Sequence, residues 1–191
     1  VTTDRRQADV PLLVQEATEL GRRAEERFGG LTAKQLNWRP NPGEWSVGQC
    51  LDHLRLATTT YFPAFREIQA GTKRATFWER VPLLPSLFGP YLIRLLSPAR
   101  SAKVPAPAVF RPAESLVDPQ IVRTFAATQQ ELVRFMAGTA PRDLARIVTS
   151  PASRFVTYSL LDAYRIIVVH AQLHLQQARR VTELRGFPPK D

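Results

Sequence analysis

His170 and His174 lie four residues apart in VVHAQLHLQQ, residues 168–177. Four residues make slightly more than one helical turn, so in a helix both imidazoles leave the same side and can reach one ion. The remaining histidine, His53, lies far earlier in the chain. Its helical neighbours Gln49, Cys50 and Ala57 set it at the border of an apolar stripe. If the two segments pack together, three imidazole nitrogens surround one point and leave coordination positions open, the arrangement expected of catalytic rather than purely structural zinc. An ion held this way could activate bound water or a thiolate. The competing reading is ordinary: a histidine pair spaced by four can cap a helix, bond within a core or arise by chance. Burying such rings without partners, however, is costly.

The residues around this triad narrow the chemistry. Ala171, Gln172 and Leu173 separate the pair, so the glutamate base of a His-Glu-x-x-His metalloprotease is missing. Gln49, one turn before His53, and Gln177, three residues after His174, are candidates to orient a ligand ring; packing or surface roles compete for both. Glu44 suits the positive end of the helix that carries His53, and Trp45 can anchor the loop before it. Asp52 points about 100° away from its neighbour His53 on a helix, and Asp162 lies two turns before His170, so neither is expected to ligate the same ion. The pattern names no catalytic acid or base and no thiol-binding residue. Zinc is the first expectation and nickel the second, with nitrogens at roughly 2.0–2.2 Å, because both metals accept imidazole.

Four amphipathic segments can position these residues. The first runs from Pro11 to Phe28 and ends at the glycine pair 29–30. The second begins near Ser46 as its cap, buries Val47, Cys50, Leu54, Ala57 and Tyr61, is kinked by Pro63 and ends near 70–72. The third runs from Pro119 to Met136 with Asp118 as its cap. The fourth runs from Tyr158 to Leu184 and stops at RGFPP. The expected fold is therefore all-α, a four-helix bundle forming one domain over 1–191. Between the second and third helices, residues 70–117 form a Pro-rich span too long for a bare loop. It is expected to fold back as an insertion with a short helix around Leu87 to Leu96, serving as a lid or a dimer contact; a partly mobile crossover is the alternative.

The whole-chain properties set outer limits. At 191 residues, 44% hydrophobic and 23% charged, the chain can bury a sizeable core. One cysteine, Cys50, excludes an internal disulfide and a thiolate-rich zinc cluster, and suits a reducing, cytoplasmic setting. No secretory leader or transmembrane segment is expected; the longest oily run, 81–98, is interrupted by four prolines and Arg94. The net charge of +9 can attract nucleic acid or an anionic membrane, but no nucleic-acid motif accompanies it and no specific nucleic-acid partner is expected. The oily insertion leads to the expectation of a homodimer.

Two stretches carry a resemblance. NWRPNPGEWSVGQCLDHL at 37–54 and VVHAQLHLQQ at 168–177 are similar to the paired motifs of the DinB-like superfamily, and the order of helices extends the likeness over nearly the whole chain. The resemblance implies a divalent-metal site on a bundle, with His53, His170 and His174 at the three ligand positions. Relatives include transferases that use low-molecular-weight thiols such as bacillithiol, and a mycothiol-dependent isomerase branch. It thus implies a metal-dependent enzyme acting on a small molecule, a thiol S-transferase ahead of a hydrolase, with a thiol cosubstrate. The alternative is a noncatalytic metal-bearing module for ligand binding or assembly. Residues 70–117 look like an addition to the compact family core.

Overall fold

The computed structural model describes residues 2–98 and 105–190. Its core is built by four helices: α1 (Thr2–Phe28), α3 (Val47–Thr59), α6 (Ile121–Ala137) and α7 (Leu160–Thr182). Both α1 and α3 pack against α6 and α7. The apolar stripes of these helices supply the buried centre, with Ala17, Leu54, Phe125, Leu132, Ala163 and Ala171 almost wholly excluded from solvent. Among the described residues, no helix is long and apolar enough to cross a membrane.

Caps fix where the helices begin. Thr32 and Gln35 form a reciprocal box at α2 (Ala33–Asn37). Ser46 and Gln49 repeat it on α3: Ser46 Oγ accepts from Gln49 N at 3.1 Å and Gln49 Oε1 accepts from Ser46 N at 3.2 Å. Pro63 does more than kink the second helix. The chain breaks at Thr60 and Tyr61 and restarts as α4 (Phe62–Gln69), with the proline in its first turn. Asp118 accepts from Gln120 N at 2.7 Å and its carbonyl accepts from Ile121 N, so it shapes the turn while regular helix begins two residues after Pro119. In the other direction, α1 reaches past the expected start at Pro11, carrying that proline inside it.

The expectation of a purely helical chain needs correction. Residues 147–159 form a hairpin, β1 (Ile147–Ser150) and β2 (Ser153–Ser159), paired antiparallel with Val148 opposite Tyr158 and Thr149 opposite Thr157. Ile147, Val148, Thr149, Val156, Thr157 and Tyr158 are β-branched or aromatic, types that suit a half-buried pleated surface. The fourth helix therefore starts at Leu160 instead of Tyr158, with Ser159 Oγ accepting from Asp162 N at 3.1 Å as its cap.

Residues 70–117 contribute a 3₁₀ turn at Trp78–Arg80, helix α5 (Leu84–Leu95) and a second turn at Ala108–Phe110; residues 99–104 of that span lie outside the described part. The expected short helix is present, starting a little earlier than Leu87. It packs against β2 and α7. Gly89 makes that approach feasible: a β-carbon there would stand 2.6 Å from Asp162 Oδ2 and 3.1 Å from Asp162 Cβ. Asp162 cannot readily yield, since it bonds Ser159 and Arg165. Gly89→Ala is expected to lower stability by about 1–3 kcal/mol despite alanine's better helix propensity, read as a fall in the urea midpoint. At the other end, Lys73 Nζ donates to Glu79 at 2.9 Å and Thr149 Oγ1 donates to Glu79 Oε1 at 2.8 Å, tying the 3₁₀ turn to the hairpin. Burial pushes the Glu79 carboxyl upward, but these bonds and one from Thr76 N outweigh it and hold the group below its ordinary value.

One core group runs against the pattern. Gln129 on α6 is fully buried, and neither atom of its amide has a protein hydrogen-bond partner. Replacing such a group by an apolar side chain of similar length removes the desolvation cost. Gln129→Met is expected to raise stability by about 1 kcal/mol, seen as a higher urea midpoint at unchanged slope.

Candidate metal centre

Packing of α3 on α7 brings the three histidines together. Their ligand nitrogens all lie within 4.8 Å of one another, and His53 Nε2 faces His170 Nε2 at 3.0 Å. An ion bonded to two nitrogens at about 2.0–2.1 Å would hold them roughly 2.9–3.4 Å apart, depending on coordination geometry, so this pair is already spaced as one edge of a ligand set. The ring centroids are 4.8 Å apart for His53 and His170, 4.5 Å for His53 and His174, and 4.6 Å for His170 and His174.

Two outer partners decide which nitrogen is free. The Phe110 carbonyl lies 2.6 Å from His53 Nδ1, and a carbonyl only accepts, so Nδ1 carries the hydrogen and Nε2 keeps its lone pair. His174 Nδ1 donates to Gln177 Oε1 at 2.9 Å, leaving its Nε2 lone pair free as well. This is the arrangement that fixes tautomer and ring orientation at metal-binding histidines. In the absence of an ion, a hydrogen must lie between the facing nitrogens of His53 and His170; a divalent cation would use both lone pairs.

Electrostatics favour the same state. Burial lowers the pKa of His53 despite the Phe110 carbonyl and Asp52, which act in the opposite direction. Burial, with repulsion from His174 and His53, takes His170 well below the ordinary value. Burial and His53 bring His174 down to about 3, with Gln177 opposing. The rings are therefore neutral near pH 7, the form that binds metal. The donor set is three neutral imidazoles, which suits zinc or another first-row divalent ion. Among the described residues, the cluster contains no carboxylate.

The surrounding candidates separate clearly. Gln177 orients a ring. Gln49 does not: its carbonyl belongs to the cap of α3 and its amide donates to the Ala113 carbonyl at 3.1 Å. Asp52 turns away to Arg55 and the Ala113 N–H. Asp162 is occupied at the start of α7. Cys50 is wholly buried, and burial raises its thiol to about 12, so it is neither a ligand nor a nucleophile at neutral pH. Trp45 does anchor its loop, and the anchor is the histidine cluster itself, with ring centroids 4.7 Å from His53 and 5.5 Å from His174.

The triad lies on the wall of a cavity of about 1220 Å³. Leu92 and Leu95 of α5 and Leu96 just past it line the cavity, as do Glu44, Arg111 and Arg180. Further along, Tyr61 and Tyr158 share a hydroxyl–hydroxyl bond of 2.5 Å. Burial pushes both phenols above their ordinary pKa, so they remain protonated at neutral pH. Sequence reasoning assigned Tyr61 only to a buried stripe and Tyr158 to a helix start. The Phe110 carbonyl carried no sequence signal, because every residue has one.

No curated protein matches the chain. A family model described as the DinB superfamily matches residues 16–178, from the middle of α1 to near the end of α7. That span holds the four core helices' packing and all three histidines, and the chain belongs to the DinB superfamily.

Proposed function

We propose that the protein is a divalent-metal-dependent enzyme in which His53, His170 and His174 hold zinc, with nickel as the second choice, and the open side of the ion meets a small-molecule substrate. The carrying observation is the convergence of the three histidines on the wall of a cavity rather than in a sealed core. A metal serving only to staple the bundle would need no such space, and four core helices already bury their apolar faces without one.

Transfer of a low-molecular-weight thiol to an electrophile is the leading reaction, ahead of hydrolysis. The ion, when bound, supplies a Lewis acid that favours thiolate over thiol. The thiol proton passes to solvent and the sulfur forms a bond to the electrophilic carbon; the displaced electron pair leaves with a halide, stays on the opened epoxide oxygen, or moves to the neighbouring carbon of an unsaturated acceptor, the last two taking a proton from solvent. Thiol transfer is placed first because the paired motifs resemble those of thiol-using relatives; an ion held by three imidazoles would also lower the pKa of bound water, which keeps hydrolysis as the second reaction. The chain's contribution is positional. Phe110 and Gln177 hold two imidazoles with their lone pairs inward, Trp45 covers their faces, and the α5 leucines keep water from part of the cavity. Residues 1–191 are proposed to act as one domain in the cytoplasm.

The test is metal analysis of protein made without chelator, followed by turnover assays after separate loading with zinc and nickel. Thiols would be paired with epoxides, alkyl halides and unsaturated electrophiles, with simple esters run in parallel. Thiol consumption that disappears on metal removal and returns on reloading supports transfer; ester cleavage with the same dependence supports hydrolysis. One bound ion with no processing of any pair would favour the noncatalytic module.

A further inference from the structure

The outer side of α5 is apolar where a solvent-facing helix is ordinarily polar. Leu83, Leu87 and Tyr91 are 80%, 64% and 56% exposed. Spaced by four, they and Arg94 fall within about 80° of one another around the helix, forming a single stripe. On the segment that precedes α5, Phe77 is 72% exposed and meets Trp78 edge-on at 5.3 Å, and both the Trp78–Arg80 turn and α5 pack on β2. Trp78 meets Phe155 of β2 at 4.9 Å, and the Arg154 guanidinium stands 4.8 Å over the Phe155 ring. Leu83 also adopts φ 70, a left-handed conformation that costs a leucine free energy. Neither backbone preference nor core packing accounts for a leucine at that position.

The charge of this region identifies what could cover it. Within residues 70–98 the lysines and arginines are Lys73, Arg74, Arg80 and Arg94 and the one acid is Glu79, a net +3. Glu79 is buried and bonded to Lys73, so it does not offset the surface charge outside. Arg74, Arg80, Arg94 and Arg154 are exposed. A second copy docking by two-fold symmetry would bring this cationic face against itself. A nucleic acid would match the arginines and leave the leucines in water. An anionic bilayer satisfies both sets: leucines and aromatic rings enter the acyl boundary while guanidinium groups remain among the phosphates.

We propose that the outer face of α5, together with Phe77, Trp78 and Phe155, is a peripheral docking surface for an anionic lipid bilayer. The helix lies on the membrane without spanning it. Leu92, on the other side of α5, and Leu96, just past its end, line the cavity, so one helix separates the bilayer from the histidine site. The surface stands independently of any reaction at that site.

Sedimentation of the intact chain with vesicles tests the surface directly. One set is phosphatidylcholine alone; the other contains about one third phosphatidylserine. Binding to the second set is expected to be at least about tenfold tighter and to weaken as salt rises. The combined variant L83S/L87S/Y91S, altered only at exposed positions, should lose about tenfold or more in binding while keeping its helical circular dichroism and its metal content. R80Q/R94Q/R154Q should flatten the salt dependence. No sedimentation with phosphatidylserine vesicles, equal binding to both sets, or unchanged binding by the folded serine variant would overturn the proposal. A lipid-independent dimer that the serine variant abolishes would overturn it in favour of a second copy.

Discussion

His170→Ala is expected to weaken zinc binding by more than about a hundredfold and to reduce metal-dependent turnover to the level of chelator-treated protein. Loss of an outer partner alone costs roughly ten- to a hundredfold in affinity, and loss of one of three ligands should cost more. Gln177→Ala provides the graded comparison: the His174 ring remains but loses the acceptor that orients it, so its effect should fall within that range. The fold should survive both changes. His170 is half-buried on the cavity wall, whereas α7 is held in the bundle by residues such as Leu161, Tyr164, Ile167 and Ala171. Helical circular dichroism and metal stoichiometry must be read on the same samples. Equal turnover by wild type and H170A, with occupancy verified to differ, would end the catalytic proposal.

A second large effect is expected in acid. The three histidines have folded-state pKa values below the 6.5 of an unperturbed imidazole. As pH falls below that value, the unfolded chain gains protons on these rings before the folded chain does, and equilibrium moves toward unfolding. Stability contributed by the neutral rings is complete above the unfolded pKa and is lost as pH drops toward the folded one. For His174 this window extends from 6.5 down to about 3. The loss approaches about 1.4 kcal/mol per pH unit for each ring that stays neutral. Urea midpoints of chelator-treated protein should therefore fall steeply between about pH 6.5 and 5, and a variant carrying H53Q, H170N and H174Q should show a much flatter profile. A flat wild-type profile over that interval would contradict neutral, buried rings. Zinc should raise the whole curve, since it binds the folded state in preference.

The parts of this site legible in the sequence are those encoded by local periodicity. The spacing of His170 and His174 gave one shared face, and Ser46 marked the start of the helix that carries His53. The outer partners divided. Gln177 could be anticipated because it lies on the next turn after His174. Gln49 stood in the same relation to His53, yet the reciprocal cap with Ser46 and the Ala113 carbonyl claimed it. His53 instead takes a backbone carbonyl from a distant Pro-rich stretch, where side-chain identity says nothing about the partner. The hairpin escaped for another reason. Short apolar runs suit strand or helix equally, and Tyr158 sits at a position that continues the apolar period of α7 backward. Only the cap at Ser159 separates the two structures.

The His53–His170 contact closes 117 residues of chain, and the His53–Phe110 contact closes 57. Contacts so remote in sequence carry a large loop-closure cost and form only after the helices bearing them have docked. Until then His170 and His174 offer a two-nitrogen site and His53 an isolated one. If that docking follows the folding barrier, a metal ion meets its complete ligand set only on the native side of it. Its effect would appear in the rate of unfolding, slowed by the need to release the ion, with the rate of folding left nearly unchanged. The bound ion is in this sense a kinetic latch on α3 and α7, engaged only once the chain has found its fold.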